Sequence, residues 1–294
     1  MRRLCTVFGI LAIVAACSGR NGGGSDTTPP TPCSGDIAGG CPAPDPGKMT
    51  LCGRLSDAGT NLPIAAAAPT GGTCTAVTAE GPCSLRLQFF DALEFFGNPS
   101  GATPIVPAEL TVDDCGRYRA RNLVPPGLGY LAVAVDDAPT ATDRYRLTVV
   151  TTQNTPATQN ALSIWGTTIA SDNAWSASAG LVGSTFADRG VLALVFRYQD
   201  LPRAGVMALR SGTSFPADDY YFSDAGASRS VVDGAFTITG SNGTALFLNS
   251  AILNHEGAGS EPPGCTWPSV LTGSTPGAVS FQLMSAMNGG ALCP

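Results

Sequence analysis

From Met49 onward the chain is written as short apolar runs cut by turn residues, and this punctuation rules out most architectures open to 294 residues. Leu85-Arg86-Leu87-Gln88-Phe89 alternates with the period of a strand that buries one face. Gly190–Tyr198 alternates around a buried run, Val191-Leu192-Ala193-Leu194-Val195-Phe196. Further strands are expected at Met49–Leu55, Ala108–Val112, Tyr130–Val135 and Arg144–Thr151, with Gln153–Asn160 as loop. Ala235–Thr239 and Thr244–Leu248, split by Gly240-Ser241-Asn242-Gly243, predict a hairpin. Phe90–Phe96 fits either a strand or a helical stripe. The breaker Asn98-Pro99-Ser100-Gly101 directly behind it favours a strand and an irregular turn. Charged residues make up only 13%, and small and β-branched residues abound, which suits β-sandwiches better than helical bundles.

The first seventeen residues set the compartment. Met1-Arg2-Arg3 is a positive start, and Leu4–Ala16 is a thirteen-residue run without charge. As a helix it would rise about 20 Å, short of the roughly 30 Å hydrocarbon core, so residues 1–16 read as a signal peptide. Val14-Ala15-Ala16-Cys17 resembles the lipobox of bacterial lipoproteins. That resemblance implies cleavage before Cys17 and its acylation by palmitate-type chains. Residues 17–48, rich in Gly, Ser, Thr, Pro and Asp, then form a lipidated flexible linker. Ser18, where Asp would favour the inner membrane, points to the outer membrane of the bacterial cell envelope. Loss of Arg2 and Arg3 takes the formal charge from −6 to −8, and Lys48 is the single lysine. No basic stripe exists, so nucleic acid and anionic lipid are poor partners.

Setting aside Cys5 and Cys17 leaves Cys33, Cys41, Cys52, Cys74, Cys83, Cys115, Cys265 and Cys293. An even set in an exported chain reads as disulfides. Cys33 and Cys41 are expected to close a small ring. Cys265 and Cys293 are expected to pair, closing a loop of about thirty residues and contributing about 3.5 kcal/mol by chain entropy. Cys52, Cys74, Cys83 and Cys115 admit three connectivities. No C-x-x-C pair occurs and histidine is nearly absent, so neither a structural metal nor a cofactor is expected.

Catalytic motifs are equally thin. His255 is the only histidine, no G-x-S-x-G elbow accompanies it, and position 259 is Gly where a zinc-protease helix needs His. His255 is therefore read as a solvent-exposed loop residue, and no catalytic residue is assigned. Asp113-Asp114, Asp136-Asp137 and Asp218-Asp219 are read as solvated turn acids; Asp218, Asp219 and Asp224 are the best candidates for calcium. Trp165, Trp175 and Trp267, with Tyr220 and Tyr221, would stack on sugars if exposed, and packing is the alternative. Gly127-x-Gly129-x-x-Ala132 leads into a strand, so it is no dinucleotide loop.

The run Cys52-Gly53-Arg54-Leu55-Ser56-Asp57-Ala58-Gly59-Thr60-Asn61-Leu62-Pro63-Ile64 resembles the opening of a carboxypeptidase-regulatory-like module. Asp114-Cys115-Gly116-Arg117-Tyr118-Arg119 is similar to the family's "G-x-aromatic" strand. Asn122-Leu123-Val124-Pro125-Pro126 with Gly129-Tyr130 is similar to its step into the last strand. The resemblance implies a transthyretin-like sandwich over 49–138. Asp200-Leu201-Pro202-Arg203-Ala204 echoes Asn61-Leu62-Pro63-Ile64-Ala65 and implies a second sandwich over 139–294. The expected fold is thus all-β: two tandem Ig-like or transthyretin-like sandwiches behind a flexible tether. The expected function is a non-catalytic interaction or structural module held to the membrane by its lipid, with an envelope protein or glycan as partner. The alternative is a glycan- or calcium-dependent ligand-binding lipoprotein.

Overall fold

The computed structural model describes residues 37–64, 85–113, 115–137, 144–153, 158–199, 201–213, 219–289 and 291–293. In chain order the elements are β1 (Met49–Asp57), β2 (Leu85–Asp91), α1 (Ala92–Gly97), β3 (Glu109–Val112), β4 (Arg117–Leu123), β5 (Tyr130–Asp137), β6 (Tyr145–Gln153) and β7 (Thr158–Thr168). They continue with α2 (Ile169–Ser178), α3 (Phe186–Arg189), β8 (Val191–Tyr198), β9 (Leu201–Pro202), β10 (Met207–Arg210), β11 (Asp219–Phe222), β12 (Val232–Asp233) and β13 (Thr244–Leu248). The last are β14 (Leu253–Ala258), β15 (Val270–Thr272), β16 (Ala278–Ser285), β17 (Met287–Asn288) and β18 (Ala291–Leu292). The described residues are predominantly β.

Thirteen strands form one hydrogen-bonded sheet, ten of them on a single path that turns over at β6 and β7, with β2, β5 and β9 branching from it. Tyr145 and Arg146 of β6 pair with Thr168 and Thr167 of β7, and the two strands then part. Gln153 goes to Tyr130 of β5, while Thr158 goes to Thr50 of β1. One arm of the path is a cover sheet of β3, β4, β1 and β7. The other is a main sheet that includes β2, β5, β6, β16, β8, β13, β11 and β12. Their facing sides share one core: Leu51, Leu55, Tyr118 and Ile164 from the cover meet Phe89, Val133, Ala193 and Phe281 from the main sheet. Strand pairing and core both cross residue 138, where a boundary between two sandwiches was expected.

The run at β8 shows why the layers stack. β8 lies between β13 and β16, parallel to the latter, and is buried on both faces. Val191, Ala193 and Val195 enter the core shared with the cover sheet. Leu192, Leu194 and Phe196 enter a second cluster on the opposite face, with Val206, Ala208, Trp267 and Val270. That second face is covered by a separate three-stranded sheet, β10-β14-β15. Phe90, Phe95, Ala132 and Val149 form a third cluster at α1.

Several local expectations change. Residues 92–97 are helical, because Asp91 caps the helix by accepting from Leu93 N and Glu94 N; the breaker at Asn98 ends it. α2 lacks an apolar period, but Thr168 caps it and Trp175 is completely buried beneath it. The hairpin expected over 235–248 does not form. β13 takes both neighbours from elsewhere, β8 and β11, and Phe236 and Ile238 are left exposed in a non-strand segment. The loop expected up to Asn160 becomes strand from Thr158 through parallel pairing with β1. Gly53 makes that pairing possible: a Cβ there would lie 2.0 Å from Leu162 O.

Candidate functional site

The residues leading into β1 form a strap, where the flexible linker was expected to run on to residue 48. Cys41 is bonded to Cys52 of β1, with Cα atoms 5.8 Å apart. The ring expected between Cys33 and Cys41 is therefore not the bond made, and the quartet of Cys52, Cys74, Cys83 and Cys115 loses a member. The reason is register. Cys52 lies opposite Arg119 on β4, and Arg119 Nη1 donates to Ala38 O at 3.0 Å, which brings the strap over the same strand pair. Arg119 also pairs with Glu109. Asn122 grips the strap's other end, donating from Nδ2 to Asp45 Oδ2 at 2.7 Å and accepting from Asp45 N at 2.8 Å. Ile37 is buried at the strap's beginning.

Arg117, Arg119 and Arg121 alternate on β4 and so share its outer face, with Arg54 opposite Arg117 on β1. The row is largely matched by acids: Asp113 is 2.6 Å from Arg117, and Asp45 is 3.8 Å from Arg121. The strap thus supplies a covalent bond, two carbonyls and a carboxylate to one small arginine surface.

The C-terminal pairing holds as expected. Cys265 and Cys293 are bonded, with Cα atoms 6.3 Å apart. Cys115 is also disulfide-bonded. Cys17, Cys33, Cys74 and Cys83 lie outside the described residues, as do Asp114 and Asp218.

His255 is not a loop residue. It sits in β14, fully buried. Its Nδ1 is 3.0 Å from Leu253 O and its Nε2 is 2.9 Å from Ser250 Oγ. A carbonyl only accepts, so Nδ1 carries the proton and Nε2 accepts from Ser250. Burial, with Arg210 adding to it, pushes the imidazole down to about 4 against the pull of the Leu253 carbonyl. A serine donating to a histidine is the start of a nucleophilic site. Here Ser250 is itself 1% exposed, and a backbone carbonyl takes the orienting place of a carboxylate.

The acids are engaged. Asp219 is buried and 3.2 Å from Arg210, so it is not a solvated turn acid. Asp224 accepts from Ser230 N and Val231 N. Asp136 pairs with Arg86, and Asp137 accepts from Arg144 N and Tyr145 N. Among the described residues, no three His, Cys, Asp or Glu side chains gather as metal ligands.

All three tryptophans and Tyr221 are buried, so none of them is a stacking platform for a glycan, and Tyr220 is half-buried. Trp165 and Trp175 instead surround Arg229, a residue the sequence did not single out. Arg229 is 1% exposed. Its Nε donates to Thr244 Oγ1 at 2.8 Å and its Nη1 to Ala58 O at 3.3 Å. Its guanidinium lies 5.1 Å from the Trp165 ring, and its carbonyl accepts from Trp175 Nε1. Those partners are neutral, and burial first, then Arg197, lowers its pKa to about 10. Trp267 packs across Gly257, where a Cβ would stand 2.8 Å from the indole, and against Phe196.

A shallow groove of about 110 Å³ runs beside β2, lined by Leu87, Phe89, Ile105, Val106 and Leu110. Ile105 N donates to Phe89 O at 2.7 Å, so that edge is part-covered by its own chain.

No protein-family model matches the sequence, and no curated protein matches it. Among solved structures, the chain is similar to the shaft pilin SpaA from Lactobacillus rhamnosus GG, with 9% identity over 82% of this chain and 98% of the pilin. The TM-score is 0.21. A double mutant of the same pilin gives the same figures. At that score the likeness carries no argument about fold or function.

Proposed function

We propose that this protein is a lipid-anchored module of the bacterial envelope that acts by being held in place and contacting other envelope components, without catalysis. The observation that carries the reading is the strap. A chain anchored at Cys17 transmits any pull through residue 37 and onward. The Arg119 clasps on Ala38 and Gly40 meet that pull first, and the Cys41–Cys52 bond then delivers it to β1, a strand paired on both sides, sparing the Asp45 clasps beyond it. A free linker running into the first strand would instead peel its end. The non-catalytic half is supported by the buried Ser250–His255 pair and by carboxylates already committed to arginines and backbone amides.

The test is Cys17→Ala. In cells fed a tagged palmitate, the wild type should carry the label and have the mass of a chain cleaved before Cys17, whereas Cys17→Ala should carry none and keep residues 1–16. A wild type without label, or Cys17→Ala labelled equally, overturns the anchor.

A further inference from the structure

The sheet β10-β14-β15 packs on the main sheet around a buried histidine. His255 and Arg210 are register partners across β14 and β10. Partners across such a pair point to one face, and both reach Phe247 of β13. The imidazole centroid is 5.4 Å from that ring, and the guanidinium carbon is 4.7 Å from its centroid. Among the described residues, the other charges are placed element by element. Asp219 of β11 pairs with Arg210. Glu256 follows His255 in β14 and so points to the other face. On β15 the partner of His255 is Val270, and β8 and β16 present Leu192, Leu194, Phe196 and Met284. Tyr221 of β11 accepts from Ala208 N.

With a neutral imidazole the site holds Arg210 balanced by Asp219. A proton on His255 places two like charges on one buried cross-strand pair. No hydrogen bond need break when it arrives. Nδ1–H keeps Leu253 O, and Nε2–H then donates to Ser250 Oγ. The Ser250 hydroxyl turns to Ala251 O, 3.3 Å away. The cost is therefore electrostatic, and it falls on the contact between the two sheets.

We propose that β10-β14-β15 is an acid-released cover: protonation of His255 weakens its hold and uncovers the apolar face formed by Leu192, Leu194, Phe196 and Phe247. The inference rests on this packing and not on the membrane anchor.

The chain has one histidine, so its imidazole Cε1–H signal titrates alone in the NMR spectrum of the full-length folded protein. Amide hydrogen exchange is measured in parallel between pH 7 and pH 4 and corrected for intrinsic rates. Protection of Leu253–Ala258 should fall on the order of a hundredfold while β5 and β6 hold, beginning near pH 6.5, where an uncovered imidazole takes its proton, and levelling off where the buried imidazole signal titrates. His255→Gln, which can still donate to Leu253 O and accept from Ser250, should abolish that fall. The proposal is overturned if β14 loses protection only together with β5 and β6, or if His255→Gln loses it equally. Should His255→Gln not fold, the wild-type profile decides: protection of Leu253–Ala258 that stays flat from pH 6.5 down to the imidazole titration also overturns it.

Discussion

The main sheet is covered on both faces, and the two covers are held by opposite means. The cover of β3, β4, β1 and β7 is continuous with the main sheet through β6 and β7. It is stapled by Cys41–Cys52, and its neighbourhood is pinned by Arg229. Among the described residues, the cover of β10, β14 and β15 shares no ladder with the main sheet; it is stapled nearby by Cys265–Cys293 and centres on His255. Both bases are buried among aromatic rings. Arg229, even at about 10, keeps its charge throughout the range in which proteins fold, and gives its N–H groups to neutral oxygens. His255 discards its charge to be buried. A buried base that cannot deprotonate makes a permanent joint, whereas one that must deprotonate makes a joint that acid can address.

The largest effect should come from emptying the permanent joint. Trp175→Ala removes the indole beside Arg229 and Phe222 and should cost about 3–5 kcal/mol in urea unfolding at pH 7. A loss below about 1 kcal/mol would show that the arginine cluster pins nothing. Next are the staples. Opening Cys265–Cys293 by paired Cys→Ser changes should cost about 3.5 kcal/mol, and opening Cys41–Cys52 about 3 kcal/mol, following their sequence separations of 28 and 11. Equal exchange protection of residues 37–48 with and without Cys41–Cys52 would contradict the strap.

Acid distinguishes the covers. The folded imidazole lies near 4 against an ordinary value of 6.5, so on acidification the unfolded chain takes the proton first. The stabilising effect of a neutral His255 is fully present above pH 6.5. It declines as pH falls and is gone below pH 4, a total of about 3 kcal/mol. His255→Gln should flatten that part of the stability curve, and an unchanged slope would remove the contrast. The smallest effect concerns the strap's clasp. Arg119→Ala should cost about 1 kcal/mol and speed proteolysis within residues 37–48, leaving the rest of the chain protected.

What was legible in the sequence follows from what local patterns encode. The Val191–Phe196 run, the alternation at Leu85–Phe89 and the strand at Tyr130 all survive, because burial on one or two faces writes itself into side-chain periodicity. Gly116 was singled out by the "G-x-aromatic" resemblance as the start of a strand, and its φ of 67°, with Ile64 O 2.6 Å from a would-be Cβ, shows why glycine stands there. Pairing partners were not legible. Strong β formers at 235–239 lost to β8 and β11 for the sides of β13, and only long-range register decides such contests. Cys41 chose Cys52 over its sequence neighbour for the same reason. His255 and Arg229 could not be found by motif, because nothing in their flanking residues signals burial. The one available hint was scarcity: a lone histidine in a chain of low charge.

The most direct measurement is the intact mass of protein extracted from membranes, before and after reduction. The account predicts a chain cleaved before Cys17, carrying fatty-acyl chains, and gaining two protons for each disulfide opened, Cys41–Cys52 and Cys265–Cys293 among them. An unacylated mass, or free thiols at those cysteines before reduction, would contradict a stapled module held at the membrane.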